Sequence, residues 1–276
     1  MSSDSMLYLK KQNLIPYTNK NAKIGILGIP FDSTSIEVPG QRFGPRDIRE
    51  QFSKLYGYDF ETKQNIYEKI DDLGDIDAVH GSFELTAERI KDTIDHLDKK
   101  PIFLGGEHSI THAIVKCLKP DVLVIFDAHA DLFDTYQGEK YSHISYLHKI
   151  MSEKLVKKAY VFGCRAYTQE ELEFAKKFKV VLVNPKDVKK EVKKIKKQNI
   201  YLSVDLDVLE FNLAMGTGTP EFGGLSLNDL LSHIKTVLSN NKVVGADIVE
   251  LNPLIDSQKT TTFCAAQILK EIILHM

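Results

Sequence analysis

The sequence predicts a three-layer α/β/α fold, in which helices cover both faces of an eight-stranded, mainly parallel sheet. Eight short apolar runs, several rich in β-branched residues, alternate with segments of helical periodicity. Such runs are typical of strands buried on both faces, and their alternation with helices indicates parallel pairing through right-handed crossovers. No linker, repeat or low-complexity segment interrupts the pattern. We therefore expect one domain over residues 21–276, preceded by an N-terminal arm over residues 1–20.

Each predicted element follows from a local signal. One helix is predicted to begin at Pro45, because proline suits the first turn of a helix, and another at Thr168, whose hydroxyl can cap a helix. The apolar runs predict strands at 23–29, 67–73, 101–104, 122–126, 159–163, 180–183, 199–204 and 242–249. Helical periodicity predicts the remaining helices at 82–97, 109–118, 145–152, 186–197, 228–239 and 260–274.

Composition excludes several classes of protein. The chain has 276 residues and a net charge of −2, so no overall field favours a nucleic acid or an anionic membrane. Cys117, Cys164 and Cys264 form no CxxC pair and are expected to be reduced thiols of a cytoplasmic protein. Residues 1–17 lack the apolar stretch of a signal peptide, and no run approaches the roughly 20 apolar residues of a membrane span.

A cluster of ionisable residues follows the run at 122–126. Asp127, His129 and Asp131 alternate with two alanines there. Alternate residues of an extended chain share a face, so these three side chains are expected to converge. A polar loop is the ordinary alternative for this segment taken alone. Converging buried charge is costly, however, and would require a strong positive partner.

Two other predicted strands end in the same way. Asp205 and Asp207 follow the run at 199–204, and His108 follows the run at 101–104. Each signal is weak by itself, because such residues often cap helices or lie in turns. The carboxyl ends of parallel strands share one rim, where ligands bind. We therefore expect four aspartates and two histidines to meet there.

This set of side chains is typical of a metal site. Carboxylate and imidazole ligands without thiolate suit Mn²⁺, Mg²⁺, Fe²⁺, Co²⁺, Ni²⁺ or Zn²⁺. Six ligands are too many for one catalytic ion with an open position, but they suffice for two ions that share bridging carboxylates. Four aspartates also balance the charge of two divalent ions, which would lower the pKa of bound water. The resulting nucleophile would attract a cationic electrophile.

Glu250 ends the last predicted strand and is expected on the same rim. A carboxylate at that position could hold a planar guanidinium group through paired hydrogen bonds. An ordinary loop glutamate that caps a helix or forms a surface ion pair is the alternative.

These motifs resemble those of the ureohydrolases, the family that includes arginase and agmatinase. The resemblance extends over about residues 22 to 274, and the motifs occur in the order and spacing of the family. The matching segments are Gly-Gly-Glu-His-Ser at 105–109, Asp-Ala-His-Ala-Asp at 127–131, Ser-Val-Asp-Leu-Asp at 203–207, Gly-Thr-Gly-Thr-Pro at 216–220 with 223–226, the Glu250 segment, and the loop and helix at 40–49.

The resemblance implies a metal-dependent amidine hydrolase with two Mn²⁺ ions, although other divalent metals are possible. Hydroxide would attack the guanidinium carbon, and Asp131 would also orient that hydroxide. Asp127 and Asp205 would bridge the ions. The implied ligands are His108, Asp127, Asp131 and Asp205 for one ion and Asp127, His129, Asp205 and Asp207 for the other.

The resemblance further implies roles for residues outside the ligand set. Glu250 would bind the guanidinium group. His143 would also contact the substrate and would carry a proton to the leaving amine, with His148 as a nearby competitor for that role. Assembly as a homotrimer or homohexamer is implied as well. Two positions depart from the family pattern: Glu107 stands where aspartate is usual, and Ile144 replaces the glycine that commonly follows the loop histidine.

The substrate is expected to be a small guanidino compound, and agmatine is favoured. Arginases carry asparagine two residues after the third metal aspartate, where this chain has Phe133. Phenylalanine cannot donate a hydrogen bond to a substrate carboxylate. Asp134 or Glu139 could instead meet the amine of agmatine, whose hydrolysis yields putrescine and urea. Arginine, guanidinobutyrate and formiminoglutamate remain alternatives.

Two further functions compete with guanidino hydrolysis. A binuclear phosphoesterase would use similar ligands, but the chain lacks the Gly-Asn-His-Asp segment and extra histidines of that class. A non-catalytic, arginase-like binding subunit should have lost a ligand or the guanidinium-binding acid. All of those positions are filled here.

Overall fold

The main sheet is the framework of the molecule. The computed structural model of the protein describes residues 8–12, 14–35 and 38–276. The strands in these ranges are β1 (Leu9–Lys10), β2 (Ile24–Ile29), β3 (Tyr58–Asp59), β4 (Gln64–Asn65), β5 (Ile70–Ile76), β6 (Lys100–Gly105), β7 (Val122–Phe126), β8 (Lys158–Phe162), β9 (Val180–Val183), β10 (Asn199–Asp205) and β11 (Lys242–Val249). Nine of them form one sheet in the order β1-β5-β2-β6-β11-β10-β7-β8-β9, and β3 pairs with β4 separately.

The eight predicted strands are present and pair in parallel, but the sheet has a ninth strand. This extra strand, β1, pairs antiparallel with β5 and places Leu9 opposite Ile76. The prediction of eight strands was therefore wrong by one, because two residues are too few to show periodicity. The strand predicted at 67–73 begins at Ile70 instead, after a 3-10 helix at Ile66–Lys69.

Helices cover both faces of the sheet, as predicted. The helices of the described residues are α1 (Gly44–Phe52), α2 (Phe83–Asp95), α3 (Ile110–Leu118), α4 (Tyr146–Ser152), α5 (Gln169–Phe178), α6 (Val188–Glu191), α7 (Leu227–Asn240) and α8 (Thr260–His275). One face of the sheet carries α1, α7 and α8, and the other face carries α2, α3, α4 and α5. Each group of helices packs on its own apolar core.

The helix predicted at 186–197 is broken into three short pieces. These are a 3-10 turn at Pro185–Asp187, then α6, then a second 3-10 turn at Val192–Lys194. Valine has low helix propensity, and neighbouring lysines repel one another along a helix. Both effects weaken a continuous helix here.

Two predicted helix starts are confirmed in detail. Pro45 lies in the first turn of α1. Thr168 caps α5 in a reciprocal capping box with Glu171. Glu171 also accepts a hydrogen bond from the Leu132 amide at 3.0 Å, which ties the start of α5 to the segment that follows β7.

Two absences in the described residues agree with the sequence. Cys117, Cys164 and Cys264 are unpaired. Among the helices of residues 8–12, 14–35 and 38–276, none combines the length and apolar character needed to cross a membrane.

A buried arginine joins α1 to β5. Arg49 is fully buried and donates to Asp72 Oδ1 at 2.9 Å, to Asp75 Oδ1 at 2.7 Å and to the Gly74 carbonyl at 2.8 Å. The guanidinium group therefore forms ion pairs with two carboxylates at once. Removing one partner of a buried ion pair leaves uncompensated charge.

Replacing Arg49 with methionine is expected to lower the free energy of unfolding by about 3 kcal/mol, because Asp72 and Asp75 would lose their cation. Urea denaturation would measure the change. Arg46→Met is the matched control, since Arg46 lies on the same helix in an exposed pair with Glu50 and its loss should change the stability little. Equal losses in the two variants would contradict the role given to the buried pair.

Candidate metal centre

The ionisable side chains lie at the carboxyl ends of the central parallel strands. Strands β6, β11, β10 and β7 are neighbours in that order and run parallel, so their carboxyl ends meet at one rim. Glu107 and His108 follow β6, residues 127–131 follow β7, Asp205 ends β10, and Glu250 follows β11.

His108 defines one half of the site. Its Nδ1 atom lies 3.1 Å from Asp205 Oδ2, 3.2 Å from Asp127 Oδ2 and 3.8 Å from Asp131 Oδ2. All four side chains are buried. One imidazole nitrogen and three carboxylates at this spacing form a donor set suited to a divalent cation.

His129 defines the other half. Its Nδ1 atom lies 2.8 Å from Asp207 Oδ2 and 3.7 Å from Asp127 Oδ1. Asp127 thus presents one oxygen to each histidine. The donor atoms of His108, Asp127 and Asp205 lie within 4.8 Å of one another, and those of Asp127, His129 and Asp207 do likewise. Asp127 belongs to both groups.

Two carboxylates of the rim stand on left-handed backbone. Asp131 has a φ of 53° and Glu250 a φ of 67°. Such angles are uncommon for residues other than glycine and cost on the order of 1–3 kcal/mol. Both side chains are also buried. Strained, buried acids are a feature of functional sites, and here the turn directs each carboxylate away from the path of its strand.

Negative charge is crowded in this site. Burial raises the pKa of Asp127, Asp131 and Asp205, and neighbouring carboxylates raise it further. Asp127 Oδ2 is buried without a hydrogen-bond partner among the described residues. Uncompensated buried carboxylates of this kind are costly unless they bind cations. The site therefore fits divalent metal ions.

The charges around His129 act in the opposite sense. Burial alone would lower the pKa of this imidazole, but the charge and hydrogen bond of Asp207, together with Asp127, raise it to about 10. Burial alone would raise the pKa of Asp207, but the charge and hydrogen bond of His129 lower it below its usual value. In the absence of metal, a protonated His129 therefore supplies part of the missing positive charge.

Arg165 stabilises the loops around the His129 half of the site, and it was not predicted from the sequence. Its guanidinium group donates to backbone carbonyls of two loops, including Asp207 at 2.8 Å, Glu221 at 3.0 Å and Phe222 at 2.8 Å. One side chain thus joins the loop that carries Asp207 to the loop at 221–222. A signal was present, because Arg165 lies three residues after the last residue of β8, at the carboxyl end of that strand.

A cavity of about 170 Å³ includes one carboxylate of the rim, Glu250, in its lining. Glu250 and His143, two predicted site residues, lie in its wall. Ile144, noted above as a departure from the family pattern, and Gly218 and Thr219 of the quoted motif at 216–220 also line it. The remaining lining residues were not singled out from the sequence, and these are Ser35, Val38, Gln41 and Tyr136.

Glu250 is fixed by the loop that carries His108. Its Oε1 atom accepts a hydrogen bond from the His108 amide at 2.6 Å. Burial, and then the charge of Glu107, raises the pKa of Glu250 well above its usual range. Gly106, which lies two residues before His108 in the same loop, has no room for a side chain, since a Cβ would lie 1.9 Å from the Phe31 carbonyl oxygen.

Glu107, the first departure from the family pattern, is fully buried. It accepts hydrogen bonds from the Thr34 amide at 2.9 Å and from the Ser109 hydroxyl at 2.6 Å. Burial raises its pKa to about 7. Its carboxylate therefore anchors residues 34–35, at the edge of the cavity, to the loop of His108.

His143 reaches the cavity beside the second departure, Ile144, which also lines it. Burial, and then the charge of His108, lowers the pKa of His143 to about 4. The ring interacts with the Thr34 backbone, and its Nδ1 atom has no hydrogen-bond partner among the described residues. His148 lies instead in α4, where its ring stacks on Phe174 at 4.1 Å.

The acids considered as partners of a substrate amine lie outside the lining of this cavity. Asp134 is 71% exposed and pairs with Lys149 at 2.5 Å. Glu139 lines a different cleft together with Lys140. Tyr136, which forms a turn with Glu139, is the residue of this segment that borders the cavity.

Comparison with known proteins identifies the family. The family model described as the arginase family matches residues 22–275. The chain belongs to the arginase family. It is 37% identical over 242 residues to the N(1)-aminopropylagmatine ureohydrolase of Thermococcus kodakarensis, covering 84% of this chain and 83% of that protein. It is 36% identical to an agmatinase of Pyrococcus horikoshii, covering 84% of this chain and 85% of that protein.

One solved structure resembles this chain over nearly its whole length. The agmatine ureohydrolase of Thermoplasma volcanium superposes with a TM-score of 0.84 at 31% identity, covering 99% of this chain and 96% of that one. The predicted resemblance to ureohydrolases, the fold class and the assignment as a hydrolase of this family are therefore confirmed.

Proposed function

We propose that this protein hydrolyses agmatine to putrescine and urea with two Mn²⁺ ions. The observation that carries the proposal is the pair of donor groups that share Asp127, together with a cavity lined by His143 and by Glu250, whose carboxylate is bonded to the His108 amide. Relatives named as agmatinases support the substrate. We further propose that the protein is cytoplasmic and forms a homotrimer or homohexamer. Light scattering would test the oligomeric state.

The ion on the His108 side would be held by His108, Asp127, Asp131 and Asp205. The ion on the His129 side would be held by Asp127, His129, Asp205 and Asp207. The ions would supply a water molecule whose pKa is lowered toward neutrality. Within this set, Asp131 would also orient that water, for which its turned backbone provides support.

Glu250 would bind the guanidinium group of the substrate. One of its oxygens is already held by the His108 amide, so the carboxylate is oriented before the substrate arrives. A fixed carboxylate can accept paired hydrogen bonds from a planar guanidinium, which places the guanidinium carbon beside the aspartates.

His143 would carry a proton to the leaving amine. Because its pKa is lowered to about 4, the ring is neutral at pH 7 and Nδ1 can accept a proton. A proton taken up from the attacking water would make the ring more acidic than an ordinary imidazolium, and the ring would then donate this proton to the leaving amine.

The cavity wall favours a substrate tail without a carboxylate. Among the described residues (8–12, 14–35 and 38–276) that line it, those other than Glu250 and His143 are uncharged, and none is lysine or arginine. A carboxylate buried there would lose its hydration without gaining a cationic partner. Agmatine meets this condition, and so does N(1)-aminopropylagmatine, the compound in the name of the Thermococcus relative. Arginine, guanidinobutyrate and formiminoglutamate each carry a carboxylate.

The manganese-loaded protein should hydrolyse agmatine with a kcat/KM at least about 100-fold above that for arginine, since an unpaired buried carboxylate costs roughly 3 kcal/mol. Urea would be quantified for agmatine, N(1)-aminopropylagmatine, arginine and guanidinobutyrate, and formamide for formiminoglutamate. A preference for arginine would contradict the proposed substrate. Release of nitrophenol from an aryl phosphate would favour the phosphoesterase, and bound metal without any product would favour the binding subunit.

A further inference from the structure

The second ring nitrogen of His108 begins a chain of buried hydrogen bonds. While Nδ1 faces the aspartates, Nε2 lies 2.8 Å from Ser203 Oγ. Ser203 in turn donates to Asp247 Oδ1 at 2.5 Å. The two residues are directly paired on the neighbouring strands β10 and β11. Ser203 and Asp247 are fully buried, and His108 is nearly so.

The other contacts of Asp247 determine the direction of this chain. Its second oxygen, Oδ2, accepts from the hydroxyls of Thr111 and Tyr201, each at 2.8 Å. Burial raises the pKa of Asp247, but the charge of His108 and the hydroxyls of Ser203, Thr111 and Tyr201 oppose that shift. Each of the three hydroxyls donates its hydrogen to this carboxyl group, which therefore acts as the acceptor of all three bonds. The single hydrogen of Ser203 therefore points to Asp247. Ser203 can then only accept from His108, so the ring hydrogen lies on Nε2.

The position of that hydrogen matters at the other side of the ring. With Nε2 protonated, Nδ1 keeps a lone pair for a cation placed between it and the facing oxygens of Asp127 and Asp205, which lie 3.2 and 3.1 Å away. The opposite tautomer would point an N–H group at the same place and could not bind a metal ion. Tyr146 stacks on the ring at 4.1 Å between centroids and helps to hold its plane.

We propose that Asp247, acting through Ser203, is a positioning residue that holds His108 in the tautomer able to bind metal through Nδ1. This inference rests on the metal centre of the proposed function, but not on the identity of the substrate. It also explains why two buried strands carry polar side chains here, among neighbours that are mostly apolar. A carboxylate that orients a metal-binding histidine typically contributes 10- to 100-fold to metal affinity.

The test is Asp247→Asn, with Ser203→Ala as an independent second variant. In Asp247→Asn the new amide N–H can donate to Ser203, whose hydrogen is then free to point at Nε2 and to stabilise the wrong tautomer. Ser203→Ala removes the link itself. Binding of Mn²⁺ would be followed by the electron paramagnetic resonance signal of the free ion, which yields an affinity for each of two equivalents. Each variant should weaken one equivalent by about 10- to 100-fold.

Asp256→Asn is the matched control. Asp256 is a buried carboxylate that accepts from the Thr262 hydroxyl at 2.6 Å, at the start of α8. Asp256→Asn should lose about as much thermal stability as Asp247→Asn, while both of its manganese affinities stay within about threefold of wild type. An equal loss of affinity in Asp256→Asn would assign the effect to general destabilisation and overturn the proposal.

A direct measurement of the tautomer complements the binding data. In metal-free protein labelled with ¹⁵N-histidine at pH 8.5, the ring shifts of His108 should show the hydrogen on Nε2, and Asp247→Asn should move it toward Nδ1. A wild-type hydrogen on Nδ1 would overturn the proposal, as would unchanged manganese affinity in both variants. Failure of the wild type to release urea, with these shifts and affinities as expected, would refute only the proposed function.

Discussion

Replacing Asp205 with alanine is expected to remove bound manganese and urea release together. Asp205 Oδ2 lies 3.1 Å from His108 Nδ1, and its Oδ1 accepts from the Asp207 amide at 2.9 Å. The change would remove a proposed bridging ligand and also loosen the turn that carries a second ligand. Activity should fall by at least about 1,000-fold, equivalent to about 4 kcal/mol. Metal content by mass spectrometry and urea release would be measured on the same sample.

Asp121→Ala is a suitable control for this prediction. Asp121 directly precedes β7, at the opposite end of the sheet, and forms a pair with Lys157 at 2.6 Å. It should keep two ions and near wild-type activity. Two tightly bound ions with normal urea release in Asp205→Ala would mean that Asp205 is not a ligand.

Glu250→Gln should separate metal binding from substrate binding. Glutamine has the same shape, and its amide oxygen can still accept from the His108 amide, so both ions should remain. The guanidinium group would instead meet a neutral side chain with an N–H group of its own. The loss of this buried, charge-assisted contact should lower kcat/KM for agmatine by about 1,000-fold.

Steady-state kinetics and metal analysis would be carried out in parallel on Glu250→Gln and on Glu170→Gln. Glu170 is an exposed residue of α5, and its substitution should change neither quantity. Unchanged kinetics in Glu250→Gln would show that the guanidinium group binds elsewhere.

The eight parallel strands and the meeting of their polar ends follow directly from the sequence. Buried parallel strands need apolar side chains on both faces, so an ionisable group at a strand end is conspicuous. This contrast is why the sequence alone predicts that His108, Asp127 and Asp205 share one rim. The ninth strand, Leu9–Lys10, lacked such a signal, because it consists of two residues at the sheet edge.

Other features depend on contacts between segments that are distant in sequence. The carbonyl groups around Arg165 belong to residues 163, 207–209 and 221–222, and backbone acceptors leave no trace in residue type. The partners of Ser203 and Asp247 became evident only once the register of β10 and β11 was known. The left-handed angles of Asp131 and Glu250 are imposed by tertiary structure, since neither residue type favours them strongly.

Those left-handed angles place stability and chemistry in opposition. Glycine would adopt the same dihedral angles without steric cost at Asp131 or Glu250, but it would bring no carboxylate. A laboratory selection for heat resistance alone would therefore favour substitutions at these two positions and discard the reaction. The protein retains two small local defects in its folding energy because its chemistry depends on them.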